Sequence, residues 1–161
     1  MASSSIHITL HWLDRSRAQR IIWLLEELQL QYRLVTYRRL SDNQAPASLK
    51  AVHPLGKSPV LEINQPRWIK PLVLAESANI VEYVAEHFGR NLVPDRWKER
   101  TKTAEPESGL REETEEWLRY RFYMHYSEGS LMALIGSGAL KNGEVLSPYT
   151  EYTRWLRKST A

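Results

Sequence analysis

The chain has 161 residues, 42% hydrophobic and 25% charged, with a formal net charge of +3 and no cysteine. That length and balance suit a soluble chain with one sizeable core, or one small domain with an appendage, and the charge is too small to argue for nucleic acid. Without cysteine there is no disulfide, no Cys-x-x-Cys redox pair and no protein thiolate nucleophile, so any reactive sulfur must arrive with a substrate.

Met1 to Ser5 offers neither a basic region nor an apolar core, so no signal peptide is expected. No apolar run approaches membrane-spanning length, and the cytoplasm is the expected location. Ile6, Ile8 and Leu10 alternate with His7, Thr9 and His11, which is the period of a strand. From Ser16 the period changes: Ala18, Ile21, Ile22, Leu25 and Leu28 share a helical face, with Asp14 or Ser16 as the expected cap. Tyr32 to Thr36 predicts a second strand, Ser41 to Pro46 a polar loop, and Pro46 to Ala51 a short helix. Val60 to Ile63 and Leu72 to Leu74 predict two more strands, joined by a turn at Asn64 to Arg67. Ile80, Tyr83, Val84 and Phe88 give one apolar face to a helix from about Ser77 to Gly89. Periodicity alone therefore predicts an α/β domain with a mixed sheet.

Past Gly89 the composition turns polar and charged, with Pro94 and Pro106, which predicts a linker or irregular loop over Arg90 to Ser108. A helix is expected from Arg111 to about Ile135, with Trp117, Tyr120, Met124, Ser127 and Leu131 on one stripe. The carboxylates Glu112, Glu113, Glu115 and Glu116 are expected in its solvated first turn. Gly136, Gly138 and Gly143 then break the pattern, and Pro148 to Lys158 predicts a last short helix. The five histidines include no ligand-spaced set, so no metal site is expected.

The most informative stretch is His53-Pro-Leu-Gly-Lys-Ser-Pro-Val-Leu-Glu-Ile63, closed by Ala75-Glu-Ser77 at the head of a helix. Pro59 cannot donate to a ladder, so it belongs at the first residue of a strand or on an edge. A cis Ser58–Pro59 bond is expected, leaving the Ser58 N–H and C=O free to pair with a peptide-like ligand. Lys57 adds a cation beside them, and a helix N-terminus at Glu76-Ser77 favours an anion. Cation, free backbone and helix N-terminus together suit a small zwitterionic peptide. Arg15, Arg17 and Arg20 flank the same region.

With Ile6-His-Ile-Thr-Leu-His-Trp12 and Ser16-Arg-Ala-Gln-Arg-Ile-Ile-Trp-Leu-Leu-Glu-Glu-Leu28 before it, this stretch resembles a glutathione S-transferase, most of all the fungal and bacterial branch with a His-Trp-Leu-Asp-x-Ser-Arg-Ala beginning. The resemblance covers residues 6 to 89 and, more loosely, 115 to 135. It implies a thioredoxin-like glutathione-binding domain over residues 1–89, with strand and helix order β-α-β-α-β-β-α. A partial all-helical C-terminal domain follows over residues 90–161, too short for the family's full helical bundle. The chain is then either a truncated product or a reduced variant.

The activity implied is conjugation of glutathione, as cosubstrate, to a small apolar electrophile in detoxification, with glutathione peroxidase activity as a companion and a homodimer as the usual assembly. A non-catalytic binding module, or a glutathione-dependent isomerase or lyase, are the alternatives. By position in the family motif, Lys57 meets the glycyl carboxylate, Ser58 before Pro59 pairs with the cysteinyl backbone, and Glu76 and Ser77 hold the γ-glutamyl ammonium and carboxylate. A free thiol has a pKa near 8.5, and lowering it about two units requires roughly 2.7 kcal/mol. A helix N-terminus gives about 0.3–1 kcal/mol, and up to roughly 2 when partly buried. A hydrogen bond to the sulfur, worth about 1.5–3 kcal/mol, makes up the difference. Ser16 is the hydroxyl assigned to that bond. Its register departs from several serine-type classes, whose catalytic hydroxyl falls three residues earlier, where this chain has Leu13. His11 and the amides near Arg15 and Ser16 are the fallback donors.

Overall fold

The computed structural model describes residues 6–97 and 112–137. The chain divides into two compact units between Pro94 and Asp95. In the first, β1 (His7–Leu13), α1 (Gln19–Glu27), β2 (Tyr32–Tyr37), α2 (Ala47–Val52), β3 (Val60–Asn64), β4 (Leu72–Ala75) and α3 (Ser77–Phe88) follow one another, and a single 3-10 turn closes it at Arg90–Leu92. The sheet order is β2-β1-β3-β4. β1 and β2 run parallel, while β3 is antiparallel to both β1 and β4. This is a thioredoxin-like mixed sheet, as the family resemblance implies.

One face of the sheet makes the core. Ile8 and Leu10 of β1 and Leu61 and Ile63 of β3 meet Ile21 and Leu25 of α1 and Ile80 and Val84 of α3, all buried. These are the positions that two-residue and 3.6-residue periods place on one side of each element. Tyr83 and Phe88 pack against the same cluster.

Two local expectations change. The helix expected from Ser16 begins at Gln19, and its N-cap is Ala18, whose methyl side chain makes no capping bond. β1 instead continues to Leu13, because pairing with β2 extends to Leu13 opposite Tyr37. Asp14 does not cap α1. Its Oδ1 accepts the Arg39 amide at 2.8 Å and its carbonyl accepts Arg39 Nε at 3.1 Å, tying the turn after β1 to the segment after β2.

The other face carries a polar strap. His11 is buried, with Nε2 at 2.9 Å from Glu62 of β3 and Nδ1 at 2.8 Å from the Tyr37 hydroxyl of β2. A carboxylate only accepts, so with Nε2–H given to Glu62 a neutral ring leaves Nδ1 to take the phenol proton. Burial holds the Tyr37 phenol above its ordinary pKa, the charge of Glu62 adds to this, and Arg33 opposes it. His11 thus links three strands sideways.

In the second unit, α4 (Glu115–Tyr126) begins four residues later than expected, capped by Thr114, whose Oγ1 accepts the Trp117 amide at 3.2 Å. Glu115 and Glu116 lie in the first turn, as expected, but Glu113 precedes the helix and pairs with Arg96 at 2.7 Å. A π-helical turn at Ser127–Leu131 leads into α5 (Met132–Ser137). Trp117, Tyr120 and Met124 are half-buried, and no residue of α4 is fully buried among those described. The linker over Arg90 to Ser108 lies in part, and the short helix over Pro148 to Lys158 wholly, outside the described residues.

Candidate active site

At the end of the sheet where β1 and β4 finish and β3 begins, a cleft of about 520 Å³ opens in the first unit. Its volume falls in the usual range for small-ligand pockets, about 300–1,000 Å³. Ser16, Lys57, Ser58, Pro59, Glu76 and Ser77 all line it. Three separate turns deliver them, after β1, before β3 and after β4.

Gly56 positions the cation. Its φ of 58° is a left-handed conformation that a glycine adopts without steric cost, and Lys57 follows it on the exposed rim. Among the described residues the Lys57 ammonium has no ion-pair partner. The Ser58–Pro59 bond is cis, in agreement with the sequence reading.

Glu76 is a non-glycine residue at φ 70°, ψ 125°, a sparsely populated conformation of the kind that clusters at functional sites. It turns the chain from β4 into α3, so that the amides of Ser77, Ala78 and Asn79 precede the first α-helical bond, from Ile80 N–H to the Glu76 carbonyl at 3.0 Å. Ser77 is buried and still lines the cleft. Amides of a helix's first turn have no intrahelical acceptor and carry partial positive charge, so this edge favours a carboxylate.

The Ser58 side chain has a different task from its main chain. Its Oγ accepts the Leu13 amide at 3.1 Å and donates to the His11 carbonyl at 2.9 Å, which finishes the pairing at the end of β1. Ser16 Oγ stands 3.2 Å away. Because Ser58 has one proton and it goes to His11, Ser16 must be the donor in that contact. Ser16 in turn accepts the Ala18 amide at 3.3 Å. The Ser58 hydroxyl is therefore saturated, and only its main chain remains to meet a ligand. Ser58→Ala should leave the Leu13 amide without its acceptor and cost about 1–3 kcal/mol of stability. Denaturant unfolding checks this: an unchanged midpoint would show that the hydroxyl holds nothing together.

Of the fallback donors, His11 is not in the cleft at all. Both its ring nitrogens are engaged by Tyr37 and Glu62 on the sheet. Leu13 lines the cleft but is buried, and its side chain supplies no donor.

The far wall was less legible. Arg15 and Arg17 line the cleft, Arg20 does not, and Arg39 joins them. Arg39 comes into the site because parallel pairing sets the end of β2 beside the end of β1. Its Nη1 donates to the Asn43 carbonyl, and Arg15 Nη2 donates to Asn43 Oδ1, each at 2.8 Å. Those acceptors are neutral. The lining thus holds four cations, Arg15, Arg17, Arg39 and Lys57, against two carboxylates, Asp42 and Glu76. A net positive cleft focuses field on an anionic ligand. Among the described residues no group of three or more His, Asp or Glu side chains is placed to hold a metal.

A thioredoxin-like sheet with a basic cleft at this end, bounded by a Lys-Ser-Pro turn and a Glu-Ser helix start, defines a domain of the glutathione-transferase type. Residues 15–87 match the family model described as the glutathione S-transferase N-terminal domain. The chain is 39% identical to glutathione S-transferase 1 of Saccharomyces cerevisiae, over 77% of its own length and 47% of that protein's. It is 34% identical to glutathione S-transferase 3 of Schizosaccharomyces pombe, over 80% of its own length and 44% of that protein's. A crystal structure of a glutathione S-transferase from Actinobacillus pleuropneumoniae superposes with a TM-score of 0.58 at 33% identity, covering 91% of this chain and 59% of that one. The chain is homologous to glutathione S-transferases and carries the N-terminal domain of that family. It spans about half the length of the curated relatives it matches.

Proposed function

We propose that the protein binds glutathione in this cleft and transfers its thiolate to a small apolar electrophile. The observation that carries the reading is the convergence of Lys57, Ser58, Glu76 and Ser77 from three turns on one basic cleft. In the binding mode, Lys57 faces the glycyl carboxylate and the Ser58 main chain pairs with the cysteinyl residue as a short added strand. The α3 N-terminus with Ser77 holds the γ-glutamyl carboxylate, and Glu76 faces its ammonium.

Ser16 is the donor to the sulfur. In the free protein its hydroxyl donates to Ser58, and on binding it turns that proton to the thiolate while Ser58 keeps its two other bonds. The thiol proton leaves to solvent, the sulfur attacks the electrophilic carbon, and a leaving group such as halide departs with the bonding pair. Bound glutathione with an ionised thiol carries two carboxylates, one thiolate and one ammonium, a net charge opposite to that of the cleft lining.

Retention on immobilised glutathione, together with turnover of a chloro-nitroaromatic substrate, is the expected result. Loss of both would sink the assignment. Retention without turnover would favour a binding module, a reading that the buried Leu13 at the serine position of other classes also supports.

Homodimer formation and a cytoplasmic location belong to the same proposal. Leu118, Tyr123, Leu131 and Ile135 stand exposed on α4 to α5, and exposed apolar side chains grouped on one segment are the kind that mark a partner surface. Light scattering should therefore give twice the chain mass. A concentration-independent monomer would count against it.

A further inference from the structure

At the opposite end of the sheet from the cleft, the turn between β3 and β4 carries the most exposed apolar residue described. Ile69 is 100% exposed, and Trp68 beside it is 36% exposed. Arg67 and Lys70 flank the pair, both exposed and, among the described residues, without an ion-pair partner. Pro66 and Pro71 bracket the group, and no acidic residue occurs between Glu62 and Glu76. β1 enters the sheet at the same end: His7 pairs with Asn64, and Ile6, 44% exposed, precedes it.

Single exposed apolar residues are ordinary. A fully exposed isoleucine next to a tryptophan, between two cations and held on a proline-stiffened tip, is a more specific combination. The Trp68 amide closes a turn on the Gln65 carbonyl at 2.9 Å, with Pro66 fixing the second position, so the tip is already ordered before it meets anything.

We propose that this turn is a docking point for an anionic membrane surface. Three physical features select lipid over a protein partner. Pro66 to Pro71 is a turn of six residues, against the roughly 20–30 residues a side that a stable protein interface takes. Tryptophan favours the level of the lipid headgroups, and a neighbouring isoleucine can enter the acyl boundary. Arg67 and Lys70 then stand at headgroup depth, where each basic residue adds attraction to anionic lipid. No described helix is long and apolar enough to cross a membrane, so the contact is superficial. The length of β3, five residues or about 17 Å, separates the tip from the cleft, which stays open to solvent. Apolar electrophiles partition into lipid, so docking would hold the transferase cleft near their reservoir.

The test is cosedimentation of the full chain with vesicles of phosphatidylcholine, with and without about one third phosphatidylserine. Binding is expected only to the anionic vesicles and should fall as salt rises. Arg67→Gln with Lys70→Gln should weaken it about thirtyfold, and Ile69→Ser about tenfold. Neither change touches the cleft, so retention on glutathione should be unaltered and certifies folding. Because the chain has no cysteine, Ile69→Cys accepts an environment-sensitive dye at a unique site. Its emission should shift blue on anionic vesicles, while the same dye at Trp23→Cys, on α1, stays aqueous. No binding by the wild type, equal binding to neutral vesicles, undiminished binding by the variants, or an aqueous dye at position 69 during binding would each overturn the proposal.

Discussion

Ser77→Ala is expected to weaken glutathione binding about ten- to hundredfold while leaving the fold's stability nearly unchanged. Ser77 is buried, opens α3 and lines the cleft. In the proposed complex its hydroxyl donates to the γ-glutamyl carboxylate, a charge-assisted bond worth about 1.5–3 kcal/mol. In the free protein the α3 N-cap is Glu76, and no side chain caps the helix, so the hydroxyl's removal takes away no cap. A purely structural serine would show the reverse pattern, with a lower melting temperature and unaltered affinity. Calorimetric titration with glutathione, paired with a thermal melt, separates the two. Equal affinity in wild type and variant would remove Ser77 from the site.

The second large effect is expected at Ser16. Ser16→Ala should raise the pKa of bound glutathione's thiol by roughly one to two units, the equivalent of one charge-assisted bond. The sign follows from which form the hydroxyl favours. A donor stabilises the thiolate, so its presence depresses the pKa and its loss lets the pKa return towards the free value near 8.5. Turnover, which requires the thiolate, should fall at neutral pH and recover as pH rises. Affinity should change little, because Lys57, Ser58, Glu76 and Ser77 still hold the peptide. The competing role is local: Ser16 accepts the Ala18 amide at 3.3 Å and donates to Ser58 at 3.2 Å. A serine serving only those bonds would cost about 1 kcal/mol of stability and leave thiol titration untouched. Ultraviolet titration of the bound thiolate decides. Coincident curves would move the donor to a backbone amide near Arg15 or Ser16, since His11 is already engaged by Tyr37 and Glu62.

The order of elements in the first unit was legible because each depends on near neighbours in the chain. Ile8 and Leu10, Ile21 and Leu25, and Ile80 and Val84 announce their faces by spacing alone, and all of them are core. The cleft residues were legible for a related reason. Gly56-Lys-Ser-Pro59 and Glu76-Ser77 are turns at the ends of strands, and turn chemistry is local. The start of α1 was not. Ser16 looks like a cap, but β1 pairs with β2 as far as Leu13, and the following turn delays the helix to Gln19.

By itself the sequence determined that the chain is an α/β fold of mixed sheet, that the chain has no thiol of its own, and which short segments meet at the cleft. Only the tertiary structure decided how the polar groups there are used. The Ser58 hydroxyl is committed to Leu13 and His11, 45 and 47 residues away. His11 is withdrawn to the other face of the sheet, Arg39 is brought into the cleft, and Trp68 and Ile69 are left bare at the far end. Apolar burial repeats with the local backbone period and can be read one element at a time. A hydrogen bond is directional and short, so its partner is chosen by the register between strands distant in sequence, and no local pattern records that register.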